Sequence, residues 1–244
     1  MSNFKMALSL AAICLSGSAM AQELEGARLG FDYKEYDDGQ GFEATFGTLI
    51  GDVSMLFDNG FGGQLTLGTL QFFHSNQSLQ RPDGGSAVAL HGFFDVSPAT
   101  RLGAYLGYNG LGEVDALHFG VELVHQLDRL RLEARLGHAD SDQGFDNFDL
   151  AEVYAQYDLN DRLQLRGGLR YEDSGDYGHY GLATIGIAYD LGNRARLYAD
   201  YGWQDQEFGS SYPDIYGGNL VTVGVEITLG DSPAPKMFRF NPQF

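Results

Sequence analysis

Most of the chain alternates apolar and polar residues one by one. Leu163, Leu165, Leu169 and Tyr171 fall on one side of an extended backbone, with Gln164, Arg166, Gly168 and Arg170 on the other. Leu130, Leu132, Ala134 and Leu136 oppose Arg131, Glu133, Arg135 and Gly137. Val221, Val223, Val225, Ile227 and Leu229 oppose Thr222, Gly224, Glu226 and Thr228. A side-chain period of two belongs to β-strands, because successive Cβ atoms point to opposite faces of a pleated chain. The alternation predicts strands near 27–36, 43–57, 62–73, 86–95, 101–109, 115–125, 129–138, 148–158, 162–172, 180–190, 194–204 and 219–230.

An internal repeat orders these strands. Phe57-Asp58, Phe94-Asp95, Tyr157-Asp158 and Tyr189-Asp190 each close an alternating stretch, and after the last three a short turn leads to Arg101, Arg162 and Arg194. The step is about thirty-two residues, one strand pair, as expected of an array of like supersecondary units. The double gap between Phe94 and Tyr157 has a degenerate copy at its middle, His125-Gln126-Leu127-Asp128-Arg129.

The two faces differ in kind. The polar one carries Gly30, Gly68, Gly103, Gly107, Gly120, Gly137, Gly168, Gly186, Gly202 and Gly224 beside long arginine and glutamate chains, which suits a crowded concave interior. A soluble barrel or sandwich would instead fill its inner face with large apolar side chains. Aromatics gather at strand ends, with Phe57, Phe94, Tyr157 and Tyr189 at one end and Tyr33, Tyr108, Tyr171 and Trp203 at the other. These are the two girdles of a membrane barrel. Tight turns such as 158–161 and 190–193 mark one end, and longer polar connections at 74–86, 139–147, 173–179 and 205–218 mark the other. The fold class is therefore all-β: a closed antiparallel transmembrane β-barrel of about 12 strands, within a range of roughly 10–14.

The N-terminus narrows the address. Met1–Lys5 is a short basic start, Met6–Gly17 an apolar run too short to span a bilayer, and Ala19-Met20-Ala21 a cleavage site before Gln22. Residues 1–21 are thus expected to be a signal peptide, residues 22–230 the barrel and residues 231–244 a C-terminal periplasmic tail, with a fold back into the barrel mouth as the alternative. Cys14 is the sole cysteine, and Ile13 before it fits a lipobox poorly. Cleavage would leave no thiol for a disulfide, for catalysis or for a metal. The net charge of −18 argues against nucleic acid, whose phosphates require a basic surface.

On these residues the chain resembles the outer-membrane β-barrel proteins of Gram-negative bacteria, porin-like in the broad sense, along its whole mature length. Thr222-Val223-Gly224-Val225-Glu226-Ile227-Thr228-Leu229 looks like the C-terminal signal read by the barrel-assembly machinery, but departs from it in ending on Leu229 rather than an aromatic. The resemblance implies the cell outer membrane as location. It implies outer-membrane lipid and lipopolysaccharide as surroundings, and the assembly machinery and periplasmic chaperones as partners during biogenesis.

Strand parity assigns fourteen charged residues to the lumen: Arg28, Lys34, Arg131, Arg135, Arg166, Arg170 and Arg196 against Asp32, Asp52, Glu122, Glu133, Glu152, Asp200 and Glu226. Such opposed charges suit a small channel for ions or hydrophilic solutes. They equally suit an internal ion-pair network that closes the barrel, leaving a structural, adhesive or envelope-stabilising surface protein. A turn at 158–162 that paired Tyr157 with Leu163 would set Glu152 opposite Gly168, one diagonal step from Arg166 and Arg170. The acidic excess is then expected in the loops, at Asp37, Asp38, Asp140, Glu172, Asp173, Asp205 and Glu207 among others. The stretch Asp140–Asp146 resembles a calcium loop only faintly, its glycine one residue early and its bidentate glutamate missing. His74, His138 and His179 lack the same-face His-x-Ser spacing that outer-membrane lipid hydrolases use. No catalytic residue, metal site or cofactor is expected.

Overall fold

The computed structural model describes residues 22–76, 84–111, 114–141, 147–208, 215–229 and 238–239. The expected signal peptide, 1–21, lies outside the described residues, as does most of the calcium-loop-like stretch.

Alternation over ten or more residues leaves each segment extended, with both edges needing partners. The chain supplies them by folding into twelve strands: β1 (Gln22–Asp37), β2 (Glu43–Phe57), β3 (Phe61–Ser75), β4 (Gly85–Ser97), β5 (Thr100–Leu111), β6 (Val114–Leu127), β7 (Leu130–Ser141), β8 (Phe148–Asp158), β9 (Leu163–Asp173), β10 (Gly178–Gly192), β11 (Ala195–Phe208) and β12 (Ile215–Leu229). Every strand pairs antiparallel with its chain neighbour, and β1 pairs with β12 from Ala27↔Leu229 to Asp37↔Asn219, closing the barrel. Closure leaves no free edge, which a β-structure in lipid requires. All twelve strands fall where the alternation predicts them, though most run a few residues longer.

Short hairpins sit at one end. Asn193 (φ 53°) and Arg194 (φ 66°) both adopt left-handed backbone, the geometry of a two-residue type I′ turn, and Asp128 (φ 46°) opens the matching turn into β7. The connection from β8 to β9 is wider. The Leu159 N–H donates to Leu163 O at 2.9 Å, and Asn160 Oδ1 accepts from the N–H groups of Arg162 and Leu163, each at 3.0 Å. That turn pairs Tyr157 with Leu165 instead of Leu163, two residues from the expected register. A shift of two leaves every side chain on its face but changes its cross-strand partner.

The outer surface is an apolar belt. Ile185, Leu169, Leu136 and Val223 are among its most exposed side chains, at 68%, 65%, 60% and 52%. Placing such a side chain in hydrocarbon rather than water is worth about 1.5–3 kcal/mol. A closed ring of them is stable only against lipid. Tyr157, Tyr189 and Phe94 face outward at the short-turn end, and Tyr33, Tyr171 and Trp203 at the other. A β-bulge at Thr45/Phe46 lays Phe73 across Gly47 and stacks it on Tyr33, 6.1 Å between centroids.

The interior glycines have a sharper role than making room for arginines. Several receive aromatic rings from adjacent or next-but-one strands. A Cβ on Gly137 would come within 2.1 Å of the Tyr105 hydroxyl, one on Gly62 within 2.3 Å of the Phe93 ring, and one on Gly224 within 2.4 Å of the Tyr198 ring. The inner face is therefore polar but densely filled. Ser54, Thr66, Asp52, Gln64 and His91 are as inaccessible as core residues.

Candidate functional site

Strand pairing assembles a row of alternating charge along one wall. Glu122 on β6 lies directly opposite Arg135 on β7, Arg135 opposite Glu152 on β8, and Glu152 opposite Arg170 on β9. Directly opposed residues of unlike sign are the favourable cross-strand arrangement. Arg135 Nη1 is 3.3 Å from Glu152 Oε2 and its Nε 3.9 Å from Glu122 Oε2, while the guanidinium lies 5.2 Å from the Tyr105 ring centroid. The placement of Glu152 corrects the expected pairing with Gly168. The wider turn after β8 brings Arg170 straight across from it, and Gly168 faces Tyr154 instead.

The opposite wall is built from β11, β12, β1, β2 and β3. Arg28 Nε donates to Asp52 Oδ2 at 2.8 Å, and Asp52 Oδ1 also accepts from Thr66 Oγ1 at 2.6 Å and Gln64 Nε2 at 3.3 Å. Glu226 lies 4.0 Å from both Arg28 Nη1 and Arg196 Nη1. Asp32 accepts from the hydroxyls of Thr48 and Tyr198 and lies 3.6 Å from Lys34 Nζ. Arg166 reaches across Gly186, which has no side chain to block it, to Asp200 on β11 at 3.0 Å. Its guanidinium lies 4.2 Å from the Tyr198 ring centroid. Arg131 pairs with Glu133 two residues along β7 at 2.9 Å.

All fourteen candidates are thus in the interior, within two linked networks rather than a single ring. The fourteen are less than the whole site. Glu172 counts as loop charge in the sequence reading, yet it lies inside as the partner of Arg170. Arg101, a turn landmark by sequence, is fully buried at the short-turn end. It holds both Glu25 carboxylate oxygens, at 2.8 and 2.9 Å, and Asp95 at 2.8 Å, with its guanidinium 3.8 Å from the Phe93 ring centroid. Its phase with Gly103 and Gly107 on the polar face of the strand predicted at 101–109 was the available signal. His91 Nδ1 is 2.6 Å from Glu122 Oε1, the imidazole acting as donor.

Of the two placements open for residues 231–244, Phe238 and Arg239 take the second and lie inside the barrel instead of in the periplasm. With the wall residues they border a cavity of about 200 Å³ that also touches Asp32, Lys34, Glu152, Arg166, Arg170 and Glu226. This lumen can present guanidinium forks, carboxylates and tyrosine rings to a polar solute from several sides at once.

The loop-end histidines form pairs of another kind. His138 Nδ1 is 2.8 Å from Asp149 Oδ1, and His179 Nε2 is 3.6 Å from Glu207 Oε2, all substantially exposed. Asp37 and Asp38 use their carboxylates within their own turn, accepting from the N–H groups of Gly39, Gln40 and Phe42 at 2.7–2.8 Å. Among the described residues no three His, Cys, Asp or Glu side chains are grouped to hold a metal ion.

No family model and no curated protein matches the chain. Solved structures do. A NanC porin superposes with a TM-score of 0.59 at 13% identity, covering 82% of this chain and 98% of the porin. A KdgM porin gives 0.58 at 13% identity, with 81% and 98% covered. An outer-membrane channel from Pseudomonas putida F1 gives 0.57 at 11% identity, with 87% and 98% covered. At such identities the likeness is one of fold: this chain has the closed barrel of outer-membrane porins and channels.

Proposed function

We propose that the protein is a small channel of the outer membrane, passing ions or small hydrophilic solutes along the charged lumen. It would be exported by a cleaved signal peptide, inserted by the barrel-assembly machinery and surrounded by lipid and lipopolysaccharide. The observation that carries the reading is the cavity itself: a space inside a closed, lipid-facing barrel, bordered by Glu122, Arg135, Glu152 and Arg170 in alternating sign. From a strand spacing of about 4.8 Å and a tilt near 40°, the Cα radius of a twelve-stranded barrel is about 12 Å, roughly twice the reach of one arginine. Wall side chains alone therefore leave its axis open.

The arginines of the wall have carboxylate partners, so their fields largely cancel and selectivity between cations and anions should be weak. A KdgM porin has been solved in complex with oligogalacturonate, an acidic sugar chain. The paired charges here favour neutral or zwitterionic solutes, which exchange hydrogen bonds with a guanidinium–carboxylate pair without displacing it. Planar-bilayer recording tests the reading. Discrete steps are expected, and Glu152→Gln, which leaves Arg135 and Arg170 in excess, should move the reversal potential in a salt gradient toward anion permeation. Silence at every salt concentration, from the intact protein and from lumen variants alike, would refute it. The second reading is a closed barrel with a structural or adhesive surface role, favoured by the ion pairs that knit the interior. It predicts that silence.

A further inference from the structure

Phe238 and Arg239 do not rest loosely in the barrel; a receptor is built for them. Phe238 is 2% exposed, packed with Phe93 and Val124. Its ring lies parallel to the His91 imidazole (5.8 Å between centroids, 6° between planes) and edge-on to Phe93 at 6.0 Å. Gly103 completes the slot, since a Cβ there would come within 2.8 Å of the ring. Gln64, itself fully buried, reads the backbone in both directions: the Phe238 N–H donates to its Oε1 and its Nε2 donates to Phe238 O, each at 2.8 Å. Arg28 Nη2 adds a longer bond to the same carbonyl at 3.4 Å.

Arg239 extends toward the other side. Its backbone N–H donates to Glu133 Oε2 at 3.2 Å, and its guanidinium lies 3.6 Å from Glu133, 3.9 Å from Glu226 and 4.6 Å from the Tyr154 ring centroid. Glu133 is on β7 and Glu226 on β12, nearly facing each other in a ring of twelve, while the Phe238 slot spans β3 to β6. Two consecutive residues thus touch the wall almost all the way round. They cross the axis that the wall side chains leave open. Their partners Gln64, Phe93, Arg28 and Val124 lie in the half of the barrel that ends in the short turns.

We propose that Phe238 and Arg239 form a tethered plug that closes the short-turn half of the lumen by binding this receptor. The proposal rests on the channel reading above and assigns its closed state. The receptor is poised to lose the plug without collapsing. Glu133 keeps Arg131 at 2.9 Å, Glu226 keeps Arg28 and Arg196, and Asp52 keeps Arg28, whether or not Arg239 is present. Release exposes one aromatic slot and frees one amide, and because plug and receptor belong to one chain they meet at the high local concentration of an intramolecular ligand.

The test pairs conductance with a direct measure of docking. Val124, fully buried in the slot, becomes the reporter Val124→Cys. The mature chain has no other thiol to compete, since Cys14 precedes the expected cleavage site. With the plug intact, a membrane-impermeant maleimide should label this cysteine slowly. With Phe238→Ala/Arg239→Ala it should label rapidly, and single-channel conductance should rise several-fold. Gly103→Val, which crowds the slot while leaving the plug sequence untouched, should reproduce both effects in protein that still shows heat-modifiable migration. Rapid labelling with the plug intact would overturn docking. Protected labelling with the same conductance in all three proteins would overturn closure and leave the channel reading standing. Release of the cysteine without any current would overturn closure and the channel reading together.

Discussion

Replacing Asp52 with alanine tests whether the lumen is an interior or merely a wet surface. The carboxylate is inaccessible and accepts from Arg28, Thr66 and Gln64 at 2.6–3.3 Å. Its loss leaves the Arg28 guanidinium with Glu226 at 4.0 Å and the Phe238 carbonyl at 3.4 Å as its nearest partners. Removing one member of a buried pair costs about 3–5 kcal/mol, because the remaining charge loses its close counter-ion away from bulk water. The exposed pair His138–Asp149 is the control, and Asp149→Ala should cost at most about 1 kcal/mol. The sole tryptophan, Trp203, faces outward at the rim and reports on loss of the lipid environment by its fluorescence. With a urea dependence of about 2 kcal/mol per molar, Asp52→Ala should lower the unfolding midpoint in phospholipid vesicles by about 2 M. Arg28→Leu in the same background should restore part of it by removing the stranded charge. An Asp52→Ala shift no larger than that of Asp149→Ala would refute the claim that this network is buried.

Two further substitutions probe the faces. Ile185→Arg sets a charge on the lipid side near the middle of β10 and should destabilise the barrel by about 2–4 kcal/mol, read from the same unfolding midpoint; a neutral effect would mean this face does not meet hydrocarbon. Gly137→Ala puts a Cβ 2.1 Å from the Tyr105 hydroxyl and should cost about 1–3 kcal/mol. Tyr105→Phe should recover part of that cost, since the next ring atom is 3.2 Å away. A harmless Gly137→Ala would show that the glycine is not a socket for this ring.

Legibility followed the range of the interactions. A period of two is a property of neighbouring residues, so the alternation around Leu165 and Arg166, or Val223 and Gly224, located strands, faces and girdles without any partner in view. The same parity put all fourteen charged candidates inside. The pairing of Glu152 was misread because the register across β8 and β9 depends on hydrogen bonds within a single turn, those of Asn160 and Leu163, which alternation does not encode. Arg101 and Glu172 stand at the ends of the strands predicted at 101–109 and 162–172, in phase with Gly103 and with Arg170, so parity extended to the last residue puts both inside; the turn and loop beside them hid this.

The amino-acid sequence by itself determined an antiparallel closed barrel with its apolar side outward, because each residue's choice of face is made locally and survives any even slip in register. Tertiary structure alone decided which charges meet and what fills the axis. Gln64 and Phe238 are 174 positions apart yet hydrogen-bonded both ways, and Arg239 joins Glu133 to Glu226. Contacts across a lumen join strands that are not neighbours, so they depend on barrel closure, side-chain reach and the return of the chain end, none of which leaves a periodic trace.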